Sequence, residues 1–151
     1  ARRRFEEAEA TAERIGFRKL VAYSRIGLGL ALAMLGDAAG GRSRVADGLS
    51  TSFASGEMRA VTFGLEAMAA VAAVSGNWHR AVAIEAAAKF VERRADIVVP
   101  ESERTFYDRL IGPAREALGA DAEAAALQGA SMSVDAAVQF ALSAEPSDEP
   151  A

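Results

Sequence analysis

The chain holds one histidine, His79, and no cysteine, so the side chains that most often ligate zinc or attack a carbonyl are nearly absent. A disulfide, a thiolate nucleophile and any metal site needing two imidazoles are excluded. His79 follows Trp78 with no carboxylate or hydroxyl nearby in sequence to orient it, and reads as an exposed residue in the first turn of a helix. Glu6, Glu7, Glu9 and Glu13 fall at helical spacing, which could gather carboxylates around a cation. Arg2, Arg3, Arg4 and Arg14 interleave with them, so the pattern reads as a salt-bridged surface. Glu101, Glu103 and Asp108 read as surface helix charges in the same way. Gly36-Asp-Ala-Ala-Gly-Gly-Arg-Ser43 approaches a phosphate-binding loop, with Arg42 where that loop needs lysine. Such a loop requires a strand before it and an acidic strand elsewhere, and neither is in the pattern. It reads as a glycine-rich loop between helices. No Ser/His/Asp set, catalytic carboxylate pair or metal spacing stands out, so the chain is expected not to be an enzyme and to carry no cofactor.

The elements that would position any site are helical. The 151 residues suit one domain or a short repeat array, and the alanine-rich composition favours closely packed helices. A net charge of -4 argues against a nucleic-acid surface, and no apolar run approaches the roughly 20 residues that span a bilayer. The Arg run at the start leads into glutamates rather than an apolar stretch, so no secretory signal follows and a cytoplasmic location is expected. The spacing predicts helices over 3–15, 17–36, 43–55, 57–75, 78–94, 103–118, 121–129 and 134–143. In the second, Phe17, Leu20, Val21, Ser24, Leu28, Ala31, Leu32 and Leu35 form the expected inner face. Gly27 and Gly29 predict another helix packed closely against it. Asn77, Ser102 and Ser133 are the expected N-caps, and Pro113 is expected to kink or split its helix. Residues 97–100 (IVVP) read as an extended connector, and 144–151 as a disordered acidic tail.

An internal repeat organises these helices. A shift of 40 residues places Gly16 on Gly56, Val21 on Val61, Tyr23 on Phe63, Leu28 on Met68 and Gly36 on Gly76. A long helix followed by another at that period is the signature of a helical solenoid, whose units cover one another's apolar faces. Residues 3–15 fit the second helix of an earlier, truncated unit, so the chain is expected to be a piece of a longer protein. Its end, with Phe5, Ala8 and Ala12, is then expected to be exposed and to support a homodimer of the piece. In such arrays the first helices line a concave groove, whose polar residues here would be Arg18, Lys19, Arg25, Arg59, Thr62 and Glu66. A mostly basic groove suits an acidic peptide or a carboxylate-bearing small molecule.

Gly76, Trp78 and Ala81, with Leu65 and Ala69 before them, resemble the hairpin of tetratricopeptide repeats, although the period exceeds the usual 34 or so. That resemblance implies that Trp78 fills the joint between two helices. The C-terminal part is more specific. Pro100, Arg104 and Tyr107, then Leu118-Gly119, Gly129, and Ser133, Asp135, Ala136 and Ala137 are similar to the end of bacterial LuxR-type and related STAND-ATPase regulators, some of them cyclase-linked. The likeness spans about 60–140, and departs in lacking the aromatic of the penultimate helix. It implies an all-α solenoid of tetratricopeptide-like antiparallel hairpins over 1–96, with capping helices over 97–143. It also implies a non-catalytic interaction and sensor domain of a multidomain transcriptional or signalling regulator. The alternative is a small-molecule effector domain with the ligand inside the superhelix. The expected partners are a protein or peptide, or adjacent domains of the intact protein, with no direct nucleic-acid or membrane contact.

Overall fold

The computed structural model describes residues 2–144, and the chain in it turns at a fixed pitch. Gly16, Gly36, Gly56 and Gly76, each twenty residues after the last, have φ of 69°, 99°, 71° and 79°. At each one the glycine amide donates to the carbonyl three residues back, and the next amide to the carbonyl five back. That pair of bonds satisfies the last carbonyls of a helix, and its left-handed residue favours glycine for want of a Cβ. A fifth turn comes twenty residues on, where Asp96 takes φ 53° and the amide of Ile97 reaches the carbonyl of Glu92.

Between these turns run α1 (Arg2–Arg14), α2 (Arg18–Met34), α3 (Ala38–Ser55), α4 (Met58–Val74) and α5 (Trp78–Arg94). After the connector come α6 (Glu101–Leu118), α7 (Asp121–Ala130) and α8 (Val134–Leu142). The chain is all-α, with no strand among the described residues. No helix there is long and apolar enough to cross a membrane. The expected disorder of the acidic tail beyond Ala144 lies outside the described residues.

Helix α2 packs on α1 and α3, α4 on α2, α3, α5 and α6, and α5 on α4, α6, α7 and α8. The core runs through Ile26, Leu49, Val61, Leu65, Ile84, Val91, Ile111 and Val138, each worth about 1.5–3 kcal/mol on burial. The close approach expected at Gly27 and Gly29 is present. A Cβ on Gly27 would strike the Phe5 ring, and one on Gly29 would lie 2.6 Å from the carbonyl oxygen of Gly41. Gly129 meets the carbonyl of Ala83 in the same way, which lets α7 lie against α5. Helix α8 is held by its last carbonyls: Arg80 Nη2 donates to Phe140 O (2.5 Å) and Ser143 O (2.8 Å), and Arg42 Nη2 to Ser143 O (2.5 Å). Cations suit that end of a helix.

Several expectations need correction. The glycine-rich segment 38–41 is the first turn of α3 rather than a loop, with Asp37 accepting from the Gly40 amide at 2.9 Å. Its glycines serve the crossing with α2, and Arg42 holds α8. Asn77 makes no side-chain cap, and α6 begins at Glu101 on Pro100, ahead of Ser102. Pro113 does not divide α6, which is one continuous helix. Ser133 does cap α8, accepting from Ala136 N at 3.1 Å. Phe17, Leu20, Leu35 and Phe106 are exposed, while Ile26, Leu30, Tyr107 and Ile111 are buried. Trp78 is 44% exposed and stands outside the buried core between α4 and α5, which Val61, Leu65, Met68, Val82 and Ile84 fill alongside alanines. At the N-terminal end Ala12 is buried, and Phe5 and Ala8 are partly covered as α1 lies on α2.

Candidate functional site

Helix α4 lies between α2 and α6, and one of its faces forms the floor of a cleft of about 230 Å³. That face carries Arg59, Thr62, Phe63 and Glu66, the i, i+3, i+4, i+7 set that a helix brings to one side. Tyr23 of α2 completes one wall, its ring stacked on Phe63 with centroids 5.5 Å apart and planes at 29°. Ile97 and Val99 of the connector and Glu103 of α6 form the other. The connector is held there by Arg59, whose Nη1 donates to Val98 O at 3.1 Å. The Thr62 hydroxyl is used within the helix, donating to Arg59 O at 2.8 Å.

Glu66 is the unusual member. It is 4% exposed, and no cation among the described residues pairs with it. Behind it lies Glu92 of α5, also 4% exposed, whose Oε2 accepts from Arg104 Nη2 at 3.4 Å. The other oxygen, Oε1, is buried without a hydrogen-bond partner. Burial first, and then the neighbouring Glu92 carboxyl, push Glu66 up to about 8. Glu103 adds to the rise and Arg104 opposes it. Burial and the neighbouring carboxyl both favour the protonated form of Glu66. Tyr107 of α6 is buried beside them, and its phenol is raised first by burial and then by Glu66 and Glu103.

The six residues expected in the groove divide between two places. Arg59, Thr62 and Glu66 line the cleft. Lys19 stands near its edge, tied to Glu57 at 2.9 Å, which raises the ammonium through that hydrogen bond. Arg25 lies elsewhere, bonded to Glu9 (2.8 Å) and Glu13 (2.9 Å) of α1, and Arg18 lines a separate hollow with Ser50 and Thr51. Where the sequence suggests a mostly basic groove, the cleft has a carboxyl floor. The repeat held the missing signal. The 40-residue shift maps Lys19, Ala22, Tyr23 and Ile26 onto Arg59, Thr62, Phe63 and Glu66. Glu66 therefore occupies a position that is fully buried isoleucine one unit earlier. Glu92 and Glu103 carry no such mark, since only packing brings them to Glu66.

His79 is exposed at the start of α5 and does not line the cleft. No group of three or more His, Asp or Glu side chains among the described residues could hold a metal ion. No family model, curated protein or solved structure matches the chain.

Proposed function

We propose that this chain is a non-catalytic helical-repeat interaction and sensor domain, working in the cytoplasm as part of a bacterial transcriptional or signalling regulator. The observation that carries the reading is the cleft between α2, α4 and α6, with its buried, cation-free Glu66. A scaffold gains nothing from such a group, whereas a binding surface can use it. Support for the repeat comes from the five turns at twenty-residue spacing and from α2 packing on α3 and α4 on α5. The tetratricopeptide-like reading, with hairpins over 1–96 and a cap over 97–143, rests on that regularity and on the residue pattern. The absence of catalysis is argued from the cleft's own groups. Of its two hydroxyls, Thr62 is committed to the backbone and the Tyr23 phenol is pushed up by burial, and no imidazole lines it.

Two kinds of occupant fit a sensor: a protein segment laid across α2, α4 and α6, or a small effector within the cleft. The enclosure of Glu66 favours the second, because a group must enter the cleft to reach the carboxyl. Amide-resonance mapping tests the reading with a panel of small ammonium ions, carboxylates, neutral sugars and acidic and basic peptides. Binders should shift amides of α2, α4 and the 97–100 connector. A panel whose binders shift only amides elsewhere, or which contains no binder, would overturn it.

A further inference from the structure

We propose that the cleft binds a small organic ammonium ion, with the nitrogen on Glu66 and an apolar body against Tyr23, Phe63, Ile97 and Val99. This rests on the small-effector reading above and names its ligand class. Four observations carry it. Glu66 lines the cleft, is nine-tenths buried and has no cationic partner among the described residues. Glu92 backs it with a buried, unpartnered oxygen, so negative charge placed on Glu66 has a second carboxyl behind it and needs a cation in front. The stacked rings of Tyr23 and Phe63 offer the aromatic surface that ammonium groups and their alkyl bodies favour. The cleft, of about 230 Å³, also has room for a small organic molecule.

The charges facing Glu66 agree with a cation. From α5 comes Glu92. From α6 come Glu103, Arg104 and Tyr107, with Arg104 occupied on Glu92. From α2 come Tyr23 and, at the edge, Lys19, which is held by Glu57. On α4 itself Arg59 is seven residues away, about 10 Å along the axis, and donates to Val98 O. The occupant therefore exchanges a cation for the proton that the buried Glu66 carboxyl keeps, which leaves to solvent. With Glu66 pushed up to about 8, binding below that pH displaces the proton, and apparent affinity falls by close to tenfold per pH unit.

Calorimetric titration of the whole chain with 2-phenylethylammonium chloride, and with the uncharged 2-phenylethanol, tests this between pH 6 and pH 8. The expected result is at least tenfold preference for the ammonium, about one proton released per ligand at pH 7, and affinity rising towards pH 8. Glu66→Gln should abolish the preference and the pH slope. If that variant does not melt cooperatively, Phe63→Leu replaces it, and should weaken the ammonium several-fold while leaving the slope in place. Equal binding of amine and alcohol without proton release would overturn the ammonium proposal and leave the small-effector reading standing. So would failure of the amine while another small molecule of the panel shifts the cleft amides. A cleft whose amides move with no ligand at all would overturn both.

Discussion

Glu66 and Glu85 are buried to the same depth, 4% and 5% exposed, on adjacent helices, and their surroundings are opposite. Glu85 takes Lys89 Nζ at 2.8 Å and Arg115 Nε at 3.1 Å, while Arg115 Nη2 also bonds Glu85 Oε1 and reaches Asp108 at 3.2 Å. Three charged donor contacts meet its two oxygens, and the result joins α5 to α6. Glu9 is treated alike, between Arg25 and Arg44 of α2 and α3. Glu66 has a second carboxyl for a neighbour and a cleft in front. The lesson is that burial alone does not mark a site. A buried carboxyl ringed by cations is a joint, and one beside a second carboxyl and a cavity is what the binding proposal rests on.

The comparison is most exposed to pH. Glu66 has a folded pKa near 8 against an ordinary 4.5, so between those values the folded chain keeps a proton that the unfolded chain has lost. Stability should fall as pH rises through that window, by up to roughly 4–5 kcal/mol, with no further change from this group outside it. Denaturant titrations at pH 5 and pH 8.5 should show the loss in the parent chain and much less of it in Glu66→Gln; equal slopes would place Glu66 with the joints. The converse cut is Arg115→Ala, which leaves Glu85 with Lys89 alone. It should cost about 2–3 kcal/mol, below the full value for a buried pair because the guanidinium is a third exposed. A cost within error of zero would show that Glu85 needs no partner and would remove the contrast.

Arg104 lies between the two cases, 3.4 Å from Glu92 and 40% exposed. Arg104→Ala should cost only about 0.5–1 kcal/mol, yet move the Glu66 midpoint upward, since Arg104 is the cation that lowers it. Titration of the Glu66 carboxyl resonance would read that shift, and a midpoint moving down would contradict the arrangement. The smallest effect belongs to Asp96→Gly, at the turn that leads into the cleft wall. Glycine there should add under about 1 kcal/mol by relieving the left-handed backbone, visible as a slight rise in melting temperature with ligand binding unchanged.

Much of the fold was legible. Positions of α4 and α5 follow from Gly56, Gly76 and the spacing of Met58, Val61, Leu65, Met68, Ala72 and Ser75, of which the core buries Val61, Leu65, Met68 and Ala72 while Ser75 is exposed. The start of α3 was hidden because Gly40 and Gly41 look like loop residues, and only the crossing with α2 gives them a use. Trp78 differs from the tetratricopeptide-like pattern, which places it in a joint, because it stands in the first turn of α5 and is 44% exposed. Three of the eight residues lining the candidate site were readable as well, since Arg59, Thr62 and Glu66 share one face of one helix.

By itself, then, the sequence determined local matters: where helices end, which residues share a face, and that Tyr23 and Phe63 occupy equivalent places. Those follow from φ preferences and the 3.6-residue period, which act over a few neighbours. Tertiary structure alone decided the charge environments. Glu9, Glu66 and Glu85 are the same residue on similar helices, and what separates them is which side chains arrive from 16 or more residues away. A carboxyl's pKa depends on the burial and charges within a few ångströms, and packing sets both.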